Sequence, residues 1–279
     1  MIAGGAEGKR RLDVQAAAYR PYTLDLLQRV GVRPGWRCLD VGCGPGKVTT
    51  DLARLAGPEG LAVGIDFDEV VLDLAQKDAS DEGVLNVEFR LGRAEALNEK
   101  GFDLAYTRLL LDVLADPQAV LARMAGAVVP GGAVVAEEPE ATSSFCYPAS
   151  AAFDRWIGWF TETMRRRGGD PDIGPRLPDL FRSVGLEEIG LRIVHLAWLD
   201  GEEKSLHSMM MEAVRDAVVG DGVASASEFD QVADEIRALA EAPFTIVASC
   251  RFFQVWGYRR TQPSSSGRSV PEPGAQERT

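Results

Sequence analysis

Short apolar runs alternate with amphipathic segments over roughly the first half of the chain. Arg37–Val41, Leu61–Ile65, Val87–Arg90, Phe102–Tyr106 and Ala133–Ala136 are brief apolar stretches and read as strands. Between them Val48, Leu52 and Leu55, then Val70, Val71, Leu74 and Ala75, then Val120, Leu121 and Met124 recur at helical spacing. Asp68 suits the N-cap of the second of these helices, and Asp116 with Pro117 suits the start of the third. Gly57, Pro58 and Gly60 end the first, and Pro130, Gly131 and Gly132 follow the third. A helix over Leu12–Arg29, broken or kinked at Pro21, precedes all of them. Strands alternating with helices predict a mostly parallel sheet covered on both faces, and unbroken apolar runs fit strands buried on both sides.

The second half reads differently. Glu138 to Asp179 is a long excursion rich in Pro, Gly and aromatic residues, with a helical stretch over Ala151–Arg167. A short helix closes at Phe181–Gly185. Leu191–Leu199 reads as a strand, Lys204–Val219 and Ala226–Glu241 as helices, and Thr245–Tyr258 as a long β segment. Residues 12–140 are therefore expected to form a nucleotide-binding core. Residues 141–260 add recognition insertions and the strands that complete the same domain. Residues 261–279, rich in Ser, Pro and Gly, are expected to be a disordered tail.

Charge and cysteine content narrow the chemistry. The net charge of −12 disfavours a nucleic-acid partner, which calls for a basic face. The one local basic run, Arg165 to Arg167, reads as the solvated end of a helix. Cys38, Cys43, Cys146 and Cys250 form no Cys-x-x-Cys pair and lie far from the two histidines, so a zinc site is not expected. No apolar run approaches the ~20 residues of a membrane span, and Met1–Arg11 lacks the apolar stretch of a secretory signal, so a cytoplasmic location is expected.

The strongest local signal is Leu39-Asp40-Val41-Gly42-Cys43-Gly44-Pro45-Gly46, a glycine turn after the first strand and before a helix. Glycines there let the backbone approach a ligand without Cβ clashes. A P-loop requires glycine five residues before Gly-Lys and Ser or Thr directly after it; around Gly46-Lys47 those places hold Val41 and Val48. A dinucleotide fingerprint Gly-x-Gly-x-x-Gly is damaged: its third glycine falls on Lys47 or on Thr49. Asp66 lies twenty residues past Gly46, at the end of the second strand, where a carboxylate can accept hydrogen bonds from ribose hydroxyls.

Asp40, Gly42, Gly44 and Gly46, followed by Val63-Gly64-Ile65-Asp66, resemble the first two motifs of the class I S-adenosylmethionine-dependent methyltransferases. The resemblance implies a Rossmann-like α/β fold with a mostly parallel seven-stranded sheet, helices on both faces and helical cap insertions. It implies S-adenosyl-L-methionine as cofactor, with Asp66 on the ribose, Asp40 near the α-amino group and Phe67 beside the adenine. The third motif departs from the family: Gly92-Arg93-Ala94-Glu95 carries Arg where an acid often meets the adenine amino group. The backbone at Ala94 or the side chain of Glu95 is left for that contact, and Glu95 reads equally as a surface carboxylate. Thr107 and Arg108 follow the fourth strand, where they face the methionine part or the substrate, or where Arg108 pairs with an acid at the core edge. The first helix, with Tyr19 and Tyr22, resembles the lid that family members fold over the cofactor.

Methyl transfer from a sulfonium is an in-line displacement in which positioning and exclusion of water supply much of the advantage, about 7–11 kcal/mol in favourable cases. A base is needed only where the acceptor must lose a proton. His195 sits in an apolar strand, where a structural role is expected. His207, beside Met209, Met210 and Met211, is the candidate catalytic base. The expected activity is methyl transfer to a small molecule, such as a natural-product intermediate, with a homodimer through the cap helices as an expected assembly. Two alternatives stay open: a cyclase of the same fold that uses the cofactor structurally, and a nicotinamide-dependent oxidoreductase.

Overall fold

The computed structural model describes residues 6–261, and five of its strands run parallel. They are β1 (Arg37–Val41), β2 (Leu61–Asp66), β3 (Val87–Leu91), β4 (Phe102–Arg108) and β5 (Val128–Glu140), in spatial order β3-β2-β1-β4-β5. Chain order proceeds outward from β1 in one direction to β3, then restarts beside β1 with β4. That reversal opens a crevice beyond the carboxyl ends of β1 and β4, the place where open α/β sheets bind ligands.

Three more strands are antiparallel additions. β8 (Ile246–Arg259) pairs with β5, and β7 (Leu186–Trp198) runs along β8's other side. β6 (Phe145–Tyr147) pairs with Ile246 to Ala248 of β8. The sheet thus has eight strands where the resemblance implied seven, because three residues of the long excursion pair with the free end of β8.

Alternation along the strands divides the core. Leu39, Val41, Val63 and Ile65 face α4 (Pro117–Ala127) and α6 (Leu177–Ser183). Cys38, Ala62, Leu104 and Tyr106 face α1 (Ala6–Val30), α2 (Lys47–Ala56) and α3 (Glu69–Asp81). A separate cluster, built from Phe153, Trp156, Met211, Val218, Phe229 and Ile236, belongs to α5 (Ala151–Arg166), α7 (Leu206–Gly220) and α8 (Ala226–Glu241). These three helices are a cap with its own core.

Local chemistry explains most boundaries. Asp68 accepts from the backbone amides of Val70 and Val71 and caps α3, and Asp116 accepts from Ala119 N and caps α4. Ser225 and Glu228 form a capping box at the start of α8. Pro21 does not break α1, which runs unbroken from Ala6 to Val30. Tyr19, Thr23, Leu26 and Leu27 are buried on both sides of the proline, so tertiary packing holds the two halves in line despite the lost hydrogen bond. β5 begins before Pro130 rather than after Gly132, with a register shift opposite Phe102–Leu104 that absorbs Gly131 at φ +81°. The tail assigned to 261–279 lies, beyond Thr261, outside the described residues.

Candidate functional site

The glycine turn is held against the end of β2. Gly42 N and Cys43 N donate to Ile65 O at 2.8 and 3.0 Å. Gly42, Gly44 and Gly46 all have positive φ, so the turn rejects ordinary side chains at each. The reasons differ beyond that. A Cβ on Gly46 would stand 2.6 Å from the Phe89 ring, whereas one on Gly44 would meet nothing within 4 Å. Gly46 is constrained by packing against Phe89 of β3 and Ala75 of α3; Gly44 faces open space.

Asp66 sits at the end of β2 with its carboxylate accepting from Gly44 N at 2.9 Å and Asp68 N at 3.1 Å. Asp68 does the capping of α3, which leaves Asp66 directed at the glycine turn. Together they border a cavity of about 560 Å³. Gly42, Asp66, Phe67, Ala94 and Glu95 all line it, so five of the residues singled out in the sequence share one space. Phe67 is half exposed at its edge, with the Arg93 guanidinium 5.9 Å from its ring centroid and in turn 3.3 Å from Glu95. The Arg of the divergent third motif therefore organises this rim. The opposite wall comes from the cap: Phe160, Thr163, Met164 and Arg167 of α5 and its end, and Val214 of α7. No sequence motif flagged them, because only the docking of the cap brings them here.

The remaining candidates lie elsewhere. Asp40 is buried beneath the turn and accepts from Thr49 Oγ1 at 2.7 Å; burial lifts its carboxyl to about 6. Thr107 is fully buried, its hydroxyl donating to Val41 O at 2.9 Å, so it ties β4 to β1. Arg108 lines a different cleft, between α1 and α2, and reaches Thr23 Oγ1 at 3.5 Å. Beside it Glu137, also fully buried, accepts from Thr23, Tyr106 and Gln254 at 2.6–2.8 Å. Arg108 thus sits at the core edge among acids, one of the two placements left open by the sequence.

Tyr19 and His207 line a second cavity, of about 290 Å³ and mostly apolar. The Tyr19 hydroxyl donates to Ser249 Oγ at 2.8 Å and its ring packs on Phe252 with centroids 4.3 Å apart. His207 Nδ1 accepts from Trp156 Nε1 at 3.1 Å, and Nε2 lies 3.0 Å from Ala248 O. One tautomer satisfies both contacts, with Nε2 donating, and burial pulls the imidazole down to about 4. Both ring nitrogens are thereby engaged within the fold. His195, on β7, lies 2.9 Å from Ser249 O and edge-on to Phe145.

The two cavities adjoin: Leu109, Val113 and Phe160 line both. Leu109 holds a positive φ of 55°, a strained conformation at this junction. Glu138, fully buried, accepts from Leu110 N and Leu111 N at 3.2 and 2.9 Å and so fixes the turn after β4. Asp112 lies against Glu138, lines the second cavity, and has its Oδ1 buried without a hydrogen-bond partner. Burial pushes both carboxyls upward, Asp112 to about 7 although its hydrogen bond with Glu138 works the other way, while the charge of Asp112 raises Glu138 further. Sequence reasoning missed this pair. Its signal is a lone acid inside the apolar run Leu109–Leu114.

A methyltransferase-domain family model matches residues 33–163. The chain is 32% identical to a demethylmenaquinone methyltransferase of Geobacillus kaustophilus, over 62% of this chain and 83% of that protein. It is 36% identical to a nocamycin O-methyltransferase of Saccharothrix syringae, over 42% of each. Against several curated relatives the chain spans about half of their length, 42–48%. Among solved structures, a putative methyltransferase from Bacillus halodurans shares the fold at a TM-score of 0.58 and 15% identity, covering 85% of this chain and 98% of that one. With 32% identity over 83% of the Geobacillus kaustophilus methyltransferase, and with a reversed-order sheet carrying a glycine turn and an acid at its crevice, the chain belongs to the class I S-adenosylmethionine-dependent methyltransferases.

Proposed function

We propose that the chain transfers a methyl group from S-adenosyl-L-methionine to a small, largely apolar molecule. The observation that carries this reading is the adjoining pair of cavities, one rimmed by the glycine turn and Asp66, the other apolar, with Leu109, Val113 and Phe160 common to both. The first suits an adenosyl group: Gly42 brings bare backbone to its wall, Asp66 offers carboxylate acceptors for ribose hydroxyls, and Phe67 offers an aromatic face. When bound, S-adenosylmethionine supplies a methyl on a cationic sulfur, open to in-line displacement. Residues of the chain position the acceptor and exclude water. Tyr19, Trp156 and Phe252 shape the apolar chamber, and the cap closes it from one side.

His207 serves, on this reading, as a positioning residue that holds Trp156 and β8. Asp40 and Thr107 support the turn from below. Demethylmenaquinone and nocamycin methyltransferases, by their names, act on small organic molecules, which favours a natural-product or quinone-like acceptor. The acidic balance of the chain favours the same conclusion over a nucleic acid. Among the described residues no helix is long and apolar enough to cross a membrane.

Calorimetry with S-adenosylhomocysteine tests the reading. Wild type should bind it, and Asp66→Ala should weaken binding at least ~10-fold, the loss of about 1.4 kcal/mol expected when charge-assisted hydrogen bonds are removed. Binding of NAD in its place, or unchanged affinity in the variant, would remove the assignment. Labelled-methyl transfer to a panel of phenols and quinols completes the test; retained cofactor with no transfer to any acceptor would favour a cyclase.

A further inference from the structure

The wall of the apolar chamber contains a charge that no described residue balances. Arg11, on α1, is 94% removed from solvent, being 6% exposed, and lines the second cavity. Among the described residues its Nε has no hydrogen-bond partner, and its Nη1 reaches only Gln15 Oε1, at a long 3.4 Å. Among the described residues no carboxylate forms an ion pair with it. Other arginines of the chain behave differently: Arg20, Arg54, Arg90 and Arg167, whose own side chains are exposed, all meet Asp or Glu. Burial of an arginine without a counter-charge is costly, and a guanidinium presents a rigid fork of donors that matches a carboxylate. Desolvation already pulls Arg11 below its ordinary value.

A second unsatisfied atom belongs to a residue of the same wall. Asp112 Oδ1 is buried and unpartnered, and Asp112 lies between Leu109 and Val113, which also line the cofactor-sized cavity. No α1 residue lines that larger cavity. Arg11 and Asp112 therefore mark two stations, one on the α1 wall and one at the junction, with Tyr19, Trp156, Phe160 and Phe252 supplying apolar and aromatic surface between them. Each station wants a different partner: the guanidinium a carboxylate, the carboxyl oxygen a hydroxyl donor.

We infer that the methyl acceptor is an aromatic or similarly apolar hydroxy acid, bound with its carboxylate on Arg11 and its hydroxyl on Asp112. This rests on the methyltransferase reading above and names the substrate class of the same site. The hydroxyl oxygen is then the nucleophile. It forms the new bond to the methyl carbon while the carbon–sulfur bond breaks and its electron pair stays on sulfur. The hydroxyl proton passes to Asp112 Oδ1, beside Glu138, and leaves to solvent after product release. Arg11 is a specificity residue, and Asp112 is the catalytic acceptor of the proton.

Binding of three fluorescent probes to protein saturated with S-adenosylhomocysteine tests this without turnover: 6-hydroxy-2-naphthoate, 2-naphthoate and 2-naphthol. Wild type should prefer the hydroxy acid to both single-group analogues. Arg11→Met should weaken both carboxylates at least ~10-fold, within the range for losing a charge-assisted pair, and leave 2-naphthol unchanged. Arg11→Lys should restore part of the loss. Asp112→Asn should erase the advantage of 6-hydroxy-2-naphthoate over 2-naphthoate. Equal affinity of Arg11→Met and wild type for the carboxylates overturns the proposal, as does absence of binding by all three probes to wild type. Calorimetry of S-adenosylhomocysteine on the same samples keeps the two readings separate: its loss in wild type strikes the cofactor assignment, while its retention in Arg11→Met shows that the variant is folded.

Discussion

At the residue scale, neighbouring glycines and acids with similar sequence signatures do different physical work. Gly44 has open space where a Cβ would stand, and Gly46 is pressed against Phe89 with φ +71°. Gly46→Ala combines a left-handed backbone with a steric overlap and should destabilise the fold by about 1–3 kcal/mol, read as a shifted midpoint in urea unfolding. Gly44→Ala meets no neighbour and should cost less stability than Gly46→Ala, with its effect appearing in cofactor affinity instead. Asp40 and Asp66 divide similarly. The first is buried against Thr49, the second lines the cavity, so only position in the fold separates a supporting acid from a contacting one.

At the scale of elements, caps and turns set where side chains aim. Asp68 caps α3 and thereby releases Asp66. Asp68→Ala should cost about 0.5–2 kcal/mol of stability, the usual loss of an N-cap, with a modest change in S-adenosylhomocysteine affinity. Asp66→Ala should show the reverse pattern: strong loss of affinity and a small change in unfolding midpoint. Paired unfolding and calorimetry on the two variants separates them, and equal effects would mean that the two acids share one role. The helix ends were legible because capping is a contact between near neighbours. Pro21 and the start of β5 were not, since burial of Leu26 and Leu27 and the pairing of Val128 with Phe102 of β4 outweigh the local preference of Pro and Gly.

At the scale of the whole molecule, buried titrating groups make stability depend on pH in opposing ways. Burial lifts Asp40 from 3.8 to about 6 and Asp112 from 3.8 to about 7. The native state therefore retains protons that the unfolded chain has released, so this contribution to stability is complete below 3.8 and is lost as pH rises through 6 and 7. His207, lowered from 6.5 to about 4, runs the other way: its contribution is complete above 6.5 and lost as pH falls toward 4. In urea unfolding at a series of pH values, wild type should lose stability relative to Asp112→Asn between pH 4 and 7. It should lose stability relative to His207→Gln as pH falls from 6.5 to 4. Parallel curves for wild type and Asp112→Asn would show that Asp112 titrates normally. The cap adds the other global feature, since α5 and α7 supply walls to both cavities.

The amino-acid sequence by itself determined the five parallel strands, most helix ends, the glycine turn and the pairing of that turn with Asp66. These follow from periodicity, steric freedom at glycine and short-range hydrogen bonding, all of which are written in residues close together along the chain. The tertiary structure alone decided that Thr107 and Asp40 face inward, that His207 is held at both nitrogens by Trp156 and Ala248, and that Asp112 and Arg11 look into one apolar chamber. The physical reason is separation: α1, the turn after β4, and the cap lie up to about two hundred residues apart, and their meeting depends on long-range packing of the apolar faces. Charge burial is likewise a property of the assembled chain, because the same Arg or Asp is ordinary in water and demanding only once its surroundings have closed over it.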